Sequence, residues 1–362
     1  MKKVLLAINC LFGGGAERVV SVWANQLSKK GYDVAILVDY RNDGEYSIPN
    51  DVKVFSVADD VEALLKMGKL RRMKKMRSLV KSLAPDVIIN FLERMQIWMM
   101  FATFGLNVRR IETVRNNPWV TCGDSKVLRF LWNKCFKRSD KIILQTAEQG
   151  EYFRKNTQEK CVIVPNPIAA KYKEETDREV PNHIKKFIAA GRLNPQKNYP
   201  LMIRAFSSVA KNNDITLDIF GAGDKKYRNE LQSLIDELKM SDKIKLRGRT
   251  SNLINEYKNA HAYLMTSDFE GMPNALAEAM ATELVCISSN CRTGPKDLID
   301  NNENGFLFET GNQKELEELI EKVAFMDKET ATNVGKKARE KVLSFLSEEN
   351  SLNKLMEIID KA

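Results

Sequence analysis

The sequence of 362 residues contains few of the residues that build metal sites and disulfide frameworks. It has only two histidines, and its six cysteines are scattered with no C-x2-C pair. Scattered cysteines argue against a disulfide framework and a zinc site, and two histidines are too few for histidine-rich metal chemistry. We therefore expect a protein with no bound metal and no cofactor.

Long apolar runs are also missing, and none approaches the ~18 residues that span a bilayer. The apolar segment 4–10 is followed at once by a glycine loop and an amphipathic helix, without a small-residue cleavage site. That order indicates a first strand and not a signal peptide, so we expect a cytoplasmic chain. Because 362 residues exceed the usual size of one core, two domains are the natural division.

Positive charge is concentrated in the first half of the chain. Residues 1–150 carry 25 Lys or Arg against 15 Asp or Glu, whereas residues 151–362 carry 32 against 33. A cationic first half suits an anionic lipid, a diphosphate-bearing substrate or nucleic acid. Nucleic acid is the least favoured of the three, because no aromatic-interleaved or helix-turn-helix pattern accompanies the charge.

The segment 61–83 holds much of this charge. Between Lys66 and Lys81 there are eight positive side chains and no negative one. Apolar residues recur every three or four positions, which predicts one basic amphipathic helix that lies on a membrane or holds a diphosphate. A crossover helix with a solvated basic face is the alternative. The candidate acceptor-binding or membrane-binding residues here are Lys66, Lys69, Arg72 and Lys75.

Strands and helices alternate in two successive series along the chain. The pattern predicts an α/β protein with one doubly wound domain over residues 1–165 and a second over 166–345. The charged stretch 171–180 is the best linker candidate. The glycine loop 13–15 ends the first strand, where ligands gather in such sheets, although its spacing is not that of the dinucleotide-binding fingerprint.

In the second series, the stretch 267–281 is the most informative. An apolar strand precedes it and a helix begins at Pro273, so Glu270 lies in the turn and Glu278 on the helix. The free amides of the helix N-terminus, beside the small Gly271, favour a phosphate. Two solvated glutamates on an ordinary strand-turn-helix unit are the alternative.

Other strand ends of the second half would line the same edge. Gly191 and Arg192 end one strand, with Lys197 shortly after, and a loop with Gly221 and Gly223 ends the next. Arg249 follows the third strand, where it borders a nucleobase or lies in a solvated loop.

With these features in this order, the chain resembles members of the large retaining family of glycosyltransferases numbered four. The resemblance rests on the run Gly13-Gly14-Gly15-Ala16-Glu17-Arg18, on Arg192 with Lys197, and on Glu270-x7-Glu278, and it spans nearly the whole chain. It implies the GT-B fold, with two doubly wound Rossmann-like domains, a cleft between them and carboxyl-terminal helices that pack back toward the first domain. Helix 346–362 would be the part that returns.

The segment 287–299 and the basic helix sharpen this resemblance. With them, the chain is similar to bacterial enzymes that extend undecaprenyl-diphosphate-linked oligosaccharides with N-acetylgalactosamine. The resemblance implies that Arg192 and Lys197 neutralise the donor diphosphate without a metal, that Glu270 holds the donor sugar and that Glu278 accepts hydrogen bonds from the ribose. The expected donor-binding residues are Gly14, Gly15, Glu17, Gly191, Gly221, Gly223, Arg249, Gly271, Met272, Pro273, Asn274 and Glu278.

One position departs from the family pattern. Many relatives have a histidine after the strand predicted at 110–114, and this chain has Arg115 there. Arg115 would supply a fixed charge to the donor or to the diphosphate of the acceptor. His261 is expected at the start of a strand and, like His183, does not replace the missing histidine.

The resulting hypothesis is a retaining, metal-independent hexosyltransferase of surface polysaccharide assembly, such as capsule or O-antigen. It would move an N-acetylhexosamine from a UDP-sugar, its co-substrate, to a lipid-diphosphate-linked saccharide. It would sit peripherally on the anionic inner face of a bacterial plasma membrane, as a monomer or weak dimer. A transferase using another nucleotide-sugar, glycolipid or soluble acceptor is the alternative among enzymes, and a nucleic-acid-binding protein is the alternative outside them.

Overall fold

The computed structural model describes residues 1–174, 178 and 180–361, which divide into two compact units. Unit 1 combines Met1–Pro167 with the segment that begins at Glu348, and unit 2 is Ile168–Ser347. Each unit is built on its own parallel sheet, as the alternation of strands and helices predicts. Among the described residues, no helix combines the length and apolar composition that crossing a bilayer requires.

Unit 1 contains a sheet of seven strands within its described residues. They are β1 (Lys3–Ile8), β2 (Asp33–Val38), β3 (Lys53–Ser56), β4 (Val87–Asn90), β5 (Arg109–Thr113), β6 (Lys141–Leu144) and β7 (Cys161–Ile163). Their order across the sheet is β3-β2-β1-β4-β5-β6-β7, so the direction of winding reverses between β1 and β4. In parallel sheets, ligands bind beyond the carboxyl ends of the strands at such a point.

Helices cover both faces of this sheet. In chain order they are α1 (Gly15–Lys29), α2 (Val61–Lys66), α3 (Lys69–Leu83), α4 (Glu93–Ala102), α5 (Lys126–Arg138) and α6 (Lys155–Gln158). Successive residues of β1 alternate between the two cores: Leu6 packs with Trp23 of α1, and Leu5 packs with α3 and α4. α5 shares a third cluster with α4 on that second face. This alternation is the pattern of a strand that is buried on both sides.

The basic segment is two helices, and the prediction of a single one is wrong. α2 ends at Lys66, Met67 is extended, and α3 begins after Gly68, which is its N-cap. Glycine is a poor helix former, and it interrupts the pattern while the apolar spacing continues through it. The buried positions of α3 are Met76 and Val80, which agrees with the predicted apolar face.

Unit 2 repeats the architecture with six strands among its described residues. They are β8 (Lys186–Ala190), β9 (Thr216–Phe220), β10 (Ile244–Gly248), β11 (Ala262–Met265), β12 (Val285–Ser289) and β13 (Phe306–Phe308). Their order is β10-β9-β8-β11-β12-β13, with the reversal between β8 and β11. The helices are α7 (Tyr199–Ala210), α8 (Lys225–Glu237), α9 (Leu253–Asn259), α10 (Asn274–Ala281), α11 (Pro295–Leu298), α12 (Gln313–Ala324) and α13 (Lys328–Phe345).

The last helix, α14 (Glu348–Asp360), belongs to unit 1 although it follows unit 2 in the sequence. Leu355 and Ile359 of α14 are fully buried in the core that contains α1. Lys2 Nζ donates hydrogen bonds to the carbonyl oxygens of Ile359 and Asp360, each at 3.0 Å. The two ends of unit 1 are therefore joined by both apolar and polar contacts.

The predicted linker, 171–180, falls partly outside the described residues, because 175–177 and 179 are not described. Its remaining residues belong to unit 2. Tyr172 is among the largest fully buried side chains of that unit, so this end of the stretch is part of a core.

Candidate functional site

Two loops of unit 2 meet where the strand order of its sheet reverses. One follows β8 and the other follows β11. The amide of Asp268 donates to the carbonyl oxygen of Gln196 at 2.8 Å, and Gln196 Nε2 donates to the carbonyl oxygen of Phe269 at 2.8 Å. Thr266 Oγ1 donates to the carbonyl oxygen of Lys197 at 2.9 Å. The two loops hold each other in place, which fixes the side chains that project from them.

Lys197 and Glu270 form an ion pair between these loops. Lys197 Nζ lies 2.6 Å from Glu270 Oε1, and the two side chains are 18% and 9% exposed. Solvent screens such a pair less than a pair on the open surface. The main chain of Glu270 is also held, because its amide donates to Arg292 and its carbonyl oxygen accepts from the amide of Thr293. The structure thus brings together two of the predicted catalytic residues.

Arg192, the third predicted catalytic residue, is exposed and makes no hydrogen bond or ion pair with any described residue. The preceding Gly191 is tightly enclosed. A Cβ atom at Gly191 would lie 3.1 Å from both Lys197 Cε and Tyr199 Oη. The absence of a side chain at Gly191 therefore lets Lys197 and Tyr199 cross the end of β8. Arg192 is therefore an unpaired cation, and it lies close in sequence to Lys197, which is paired with Glu270.

Glu278 lies on α10 and is 6% exposed. Tyr172 Oη donates a hydrogen bond to Glu278 Oε2 at 3.1 Å, which orients the carboxylate. Tyr172 is itself buried against Tyr257, with the ring centroids 6.4 Å apart. Sequence reasoning missed Tyr172 because it lies in the charged stretch taken for a linker. An aromatic residue inside that charged stretch is the signal that would have found it.

The turn that leads into α10 is packed against the loop after β12. A Cβ atom at Gly294, whose φ is +99°, would lie 2.2 Å from the carbonyl oxygen of Gly271. Thr293 Oγ1 donates to the carbonyl oxygens of Glu270 and Gly271 at 3.1 and 3.2 Å. These contacts fix the direction of the first-turn amides of α10, which lack acceptors within the helix. The predicted donor residues of this turn are Gly271, Met272, Pro273 and Asn274.

Close packing of the main chain accounts for Gly221 and Gly223. A Cβ atom at Gly221 would lie 1.8 Å from the carbonyl oxygen of Gly191, and one at Gly223 would lie 2.2 Å from that of Leu193. Leu193 and Gly223 also form a parallel β-bridge beyond the ends of β8 and β9. The glycines therefore extend the sheet toward the site, and their contact with a donor stays a prediction. Arg249, after β10, is exposed.

In unit 1, the glycine loop joins β1 to α1. Gly14 is the N-cap of α1 and Gly15 is its first residue. The Glu17 side chain folds back onto this turn, because a Cβ atom at Gly14 would lie 2.0 Å from Glu17 Oε2. A carboxylate near a helix N-terminus stabilises it. The Glu17 carboxylate therefore lies at the turn where a phosphate is predicted to bind.

Arg115 follows β5, and its guanidinium lies against two aromatic rings. Its Cζ is 4.6 Å from the ring centroid of Trp23 and 4.9 Å from that of Phe91. Nη1 donates to Asn166 Oδ1 at 2.9 Å, whereas Nε and Nη2 are buried without a hydrogen-bond partner among the described residues. Burial lowers the pKa of Arg115 to about 9. Two buried donors without acceptors suit an anionic oxygen of a ligand.

Arg72 is held inside unit 1. Its Nη2 lies 2.6 Å from Asp39 Oδ2, and its Cζ lies 4.5 Å from the ring centroid of Trp98. Asn9 Nδ2 donates to the same Asp39 oxygen at 2.7 Å. Burial raises the pKa of Asp39, and Arg72 and Asn9 oppose that rise. Sequence reasoning missed Asp39, whose partner Arg72 lies 33 residues away.

The other three basic residues predicted on this segment are exposed. Lys66 forms an ion pair with Glu62 at 2.6 Å on the surface of α2. The side chains of Lys69 and Lys75 of α3 are exposed and make no hydrogen bond or ion pair with the described residues. Arg72 is thus set apart from the three lysines, which remain accessible to a ligand or a surface.

The residue types that bind metals are dispersed. Among the described residues, no three His, Cys, Asp or Glu side chains are grouped so that they could hold a metal ion. The cysteines are free thiols, and burial raises the pKa of Cys291 to about 12. His261 Nδ1 accepts hydrogen bonds from the amides of Lys185 and Lys186 at 3.0 and 3.2 Å. His261 therefore has the structural position at a strand start that its sequence context predicts.

Two family models match successive parts of the chain. Residues 13–172 match the model described as Glycosyltransferase Family 4, and residues 173–341 match that described as Glycosyl transferases group 1. The two matches together leave only short segments at either end of the chain.

Similar proteins match over nearly the whole length. The "GalNAc-alpha-(1->4)-GalNAc-alpha-(1->3)-diNAcBac-PP-undecaprenol alpha-1,4-N-acetyl-D-galactosaminyltransferase" of Campylobacter jejuni is 28% identical over 357 residues, 96% of this chain and 97% of the relative. A second C. jejuni protein, the "N-acetylgalactosamine-N,N'-diacetylbacillosaminyl-diphospho-undecaprenol 4-alpha-N-acetylgalactosaminyltransferase", is 28% identical over 329 residues, 87% of this chain and 88% of the relative. The crystal structure of a TarM mutant from S. aureus has a TM-score of 0.82 at 14% identity, covering 99% of this chain and 100% of that chain. The structural likeness shows a shared fold.

Proposed function

This chain is a GT-B glycosyltransferase whose residues 13–172 belong to Glycosyltransferase Family 4 and residues 173–341 to Glycosyl transferases group 1, and from this premise we propose its reaction. The enzyme moves an N-acetylhexosamine, such as N-acetylgalactosamine, from a UDP-sugar to an undecaprenyl-diphosphate-linked saccharide. The observation that carries the proposal is the match to 97% of the C. jejuni N-acetylgalactosaminyltransferase, whose name states an acceptor of this kind. The product belongs to a surface polysaccharide or related glycan.

In this proposal the donor binds to unit 2. The UDP diphosphate gains negative charge as its bond to the sugar breaks, and cations placed there stabilise the transition state more than the ground state. Arg192 is free to meet that charge, because its side chain makes no hydrogen bond or ion pair with a described residue. Lys197 is held by Glu270 at 2.6 Å and supplies a second, fixed positive charge. In this proposal the two cations neutralise the leaving diphosphate, as a bound metal ion does in metal-dependent glycosyltransferases, and the reaction requires no metal.

Glu270 and Glu278 recognise the two uncharged parts of the donor. Both carboxylates are buried and oriented, Glu270 by Lys197 and Glu278 by Tyr172. A carboxylate accepts hydrogen bonds from vicinal hydroxyls, so Glu278 suits the ribose and Glu270 suits the sugar. The turn from Gly271 to Asn274 lies between them in the sequence.

The proposed transfer retains the anomeric configuration by attack on the same face. The bond between the anomeric carbon and the β-phosphate oxygen breaks, and the acceptor oxygen forms its bond to that carbon from the side of departure. The leaving phosphate oxygen takes the proton of the acceptor hydroxyl, so UDP is the product and atoms and charge balance. In this proposal Glu270, which is paired with Lys197, acts in sugar recognition and not as a nucleophile.

The acceptor binds to unit 1 in this proposal. Nε and Nη2 of Arg115 are buried donors without partners, and they suit an anionic oxygen of the acceptor diphosphate. Lys69 and Lys75 of α3 are exposed cations that contact the acceptor or anionic lipid head groups. The enzyme accordingly works as a peripheral protein on the inner face of the plasma membrane.

Transfer assays with the purified full chain test this proposal. The donors are UDP-N-acetylgalactosamine, UDP-N-acetylglucosamine, UDP-glucose, UDP-galactose and GDP-mannose, each with an undecaprenyl-diphosphate-linked saccharide in detergent. Product mass identifies the sugar, and NMR of the new anomeric proton identifies the configuration. A parallel reaction with EDTA tests the metal-free mechanism, with a metal-dependent glycosyltransferase as the positive control for chelation.

The expected result is an added N-acetylhexosamine, retained configuration and a rate unchanged by EDTA. Transfer only to soluble saccharides would assign the enzyme to a soluble acceptor. An inverted product would exclude same-face attack, and loss of turnover with EDTA, restored by a divalent cation, would exclude the metal-free mechanism.

A further inference from the structure

Three helices on one face of the unit 1 sheet, α3, α4 and α5, form a surface of unusual charge. α3 packs on α4, and α4 packs on α5. Their sequences contain seven, one and five Lys or Arg, which is 13 in total, against a single acidic residue, Glu93. We call the outward side of these helices the α3–α5 face. Ten of these 13 cations are exposed, whereas Arg72 is held inside unit 1 by Asp39, so the exposed cations of this face attract anions over a wide area.

The α3–α5 face also exposes large apolar side chains. Leu70 of α3 is 71% exposed, Phe104 after α4 is 66%, and Val127 and Phe130 of α5 are 70% and 60%. Single exposed apolar residues are normal, but residues grouped on one layer and surrounded by cations mark an interaction surface. The described part of unit 2 contains one comparable exposed residue, Phe325 at 66%, which provides a matched control.

Cations and rings are in contact across this face. Lys134 Nζ lies 5.2 Å from the ring centroid of Phe130, and Arg138 Cζ lies 5.5 Å from that of Phe104. Val127, Phe130 and Lys134 are three and four positions apart, so they share one side of α5. Arg77 of α3 donates to the carbonyl oxygen of Phe104 at 2.8 Å, which joins α3 to the end of α4. The apolar and cationic groups therefore belong to one continuous layer.

Several cations of α3 are free to act at this surface. The side chains of Lys69, Arg71, Lys74 and Lys75 are exposed and make no hydrogen bond or ion pair with the described residues. They begin on the first turn of the helix and lie close in sequence to the exposed Leu70.

We propose that the α3–α5 face lies on an anionic bilayer surface, with Leu70, Val127 and Phe130 entering the boundary between head groups and acyl chains. This inference rests on the proposed function, because a lipid-linked acceptor is found at such a surface. A bilayer satisfies both halves of the pattern, since anionic head groups pair with lysine and arginine while the boundary region takes up apolar side chains. Nucleic acid could pair with the positive charges, but its bases stack on aromatic side chains and would leave the aliphatic Leu70 and Val127 exposed to water.

The position of these residues along their helices connects the membrane to the site. In a parallel sheet, each helix begins at the carboxyl edge of the strand before it. Leu70, Val127 and Phe130 lie in the first turns of α3 and α5, so they are near the carboxyl edge of the unit 1 sheet. Arg115, which follows β5, is at that same edge. A bilayer at this end of the face places lipid head groups beside the predicted acceptor residues of unit 1.

Vesicle flotation of the full chain tests the inference. The vesicles contain phosphatidylglycerol with phosphatidylethanolamine, and pure phosphatidylcholine vesicles show how much binding needs negative charge. The variants are Val127→Ser with Phe130→Ser, and Phe325→Ser as the matched control in unit 2. All three substituted residues are exposed, so we expect the midpoint of thermal unfolding to stay unchanged in each variant. This measurement also checks that each variant is folded.

We expect the wild type to float with the anionic vesicles, and the double variant to partition about tenfold less strongly. Phe325→Ser should bind as the wild type does. Equal binding by the double variant, or an equal loss in Phe325→Ser, would overturn the proposal. So would preferential binding to duplex DNA at equal phosphate concentration that the double substitution leaves unchanged.

Transfer in detergent separates this inference from the proposed function. The double variant should transfer sugar at the wild-type rate when the lipid-linked acceptor is dissolved in detergent, and more slowly when the acceptor is embedded in vesicles. A double variant that is slow in both would place Val127 and Phe130 in the acceptor site and overturn membrane docking. A wild type that binds vesicles but transfers nothing in detergent would overturn the proposed reaction and leave the docking surface standing.

Discussion

Lys197 Nζ and Glu270 Oε1 lie 2.6 Å apart, although 73 residues separate them in the chain. They meet because β8 and β11 are neighbours in the sheet, at the point where its strand order reverses. The ion pair distinguishes the two predicted cations that follow β8, Arg192 and Lys197. Arg192 is free to follow the charge of a ligand, whereas Lys197 contributes a charge whose position is already fixed.

Removing the charge of Lys197 should slow the reaction more than it weakens donor binding. We expect Lys197→Met to lower kcat about a hundredfold, because a preorganised charge acts mainly on the transition state. It also leaves the buried Glu270 carboxylate unpaired, so the free energy of unfolding should fall by about 2 kcal/mol. Steady-state kinetics and urea denaturation measure the two effects. Lys185→Ala is the control, because Lys185 pairs with Asp214 at the same 2.6 Å on the open surface.

Loss of the Tyr172 hydroxyl should weaken binding of the UDP-sugar. Tyr172→Phe removes one hydrogen bond to Glu278 and keeps the ring, so we expect the KM for the UDP-sugar to rise about fivefold, the effect of ~1 kcal/mol. The value of kcat should change little, because the ribose is remote from the breaking bond. Tyr152→Phe in unit 1 is the control, because it also removes one hydrogen bond, to Asn133 Oδ1 at 3.1 Å, and keeps the ring. An unchanged KM in Tyr172→Phe would separate Glu278 from ribose binding.

Alanine substitutions in the basic segment should separate Arg72 from the lysines. Arg72→Ala leaves the buried Asp39 carboxylate without its cation, and we expect the free energy of unfolding to fall by about 3 kcal/mol. Lys75→Ala removes an exposed charge and should change it by less than about 0.5 kcal/mol. Urea denaturation of both variants measures the difference. Equal, small effects would contradict a structural role for the ion pair between Arg72 and Asp39.

His261 should make stability depend on pH in mildly acidic solution. Burial, with the nearby Arg178 and Lys186, lowers the pKa of His261 to about 4, whereas an unfolded histidine titrates near 6.5. Between these values the unfolded chain binds a proton that the folded chain does not. The contribution of His261 is therefore complete above about pH 6.5 and is lost as the pH falls toward about 4.

We expect this loss to be about 1 to 2 kcal/mol, since the ring is only partly buried and solvent screens part of the effect. Urea denaturation of the wild type and His261→Asn between pH 7.5 and 4.5 tests it. The difference in stability between the two proteins should shrink across that range. A difference that is constant with pH would show that the imidazole titrates normally when folded.

Gly221 should tolerate no side chain, in contrast to a glycine with open space around it. Gly221→Ala places a Cβ atom 1.8 Å from the Gly191 carbonyl oxygen, so we expect a loss of at least about 3 kcal/mol or failure to fold. Gly68→Ala, at the N-cap of α3, meets nothing within 4 Å and should cost less than about 1 kcal/mol. Thermal unfolding compares the two, and similar midpoints would contradict the close approach of the loops after β8 and β9.

Strand alternation and the chemistry of strand ends could be predicted from the sequence. Glu270, Arg192 and Lys197 each follow an apolar strand, and parallel strands carry their ligands at that end. The contact between Lys197 and Glu270 could not be predicted, because sequence periodicity does not state which strands are neighbours. Tyr172 and Asp39 were missed for a related reason, since the partner of each lies far away in the chain.

The glycines show a different limit of sequence reasoning. The structure accounts for Gly221 and Gly223 by contact with the main chain at Gly191 and Leu193, and their predicted contact with the donor stays a prediction. A glycine that makes room for a phosphate and one that makes room for another strand end have the same sequence signature. At Gly68 the apolar spacing continued through the break, so periodicity alone predicted one helix where there are two.

The return of α14 to unit 1 affects how the protein folds during translation. Leu355 and Ile359 complete the core around α1, yet they are translated only after the whole of unit 2. Unit 1 therefore waits, with part of its apolar interior uncovered, while 180 residues of unit 2 emerge and fold. Exposed apolar surface makes the growing chain prone to aggregation during that interval, and premature termination shortly before Glu348 would leave unit 1 without its last helix.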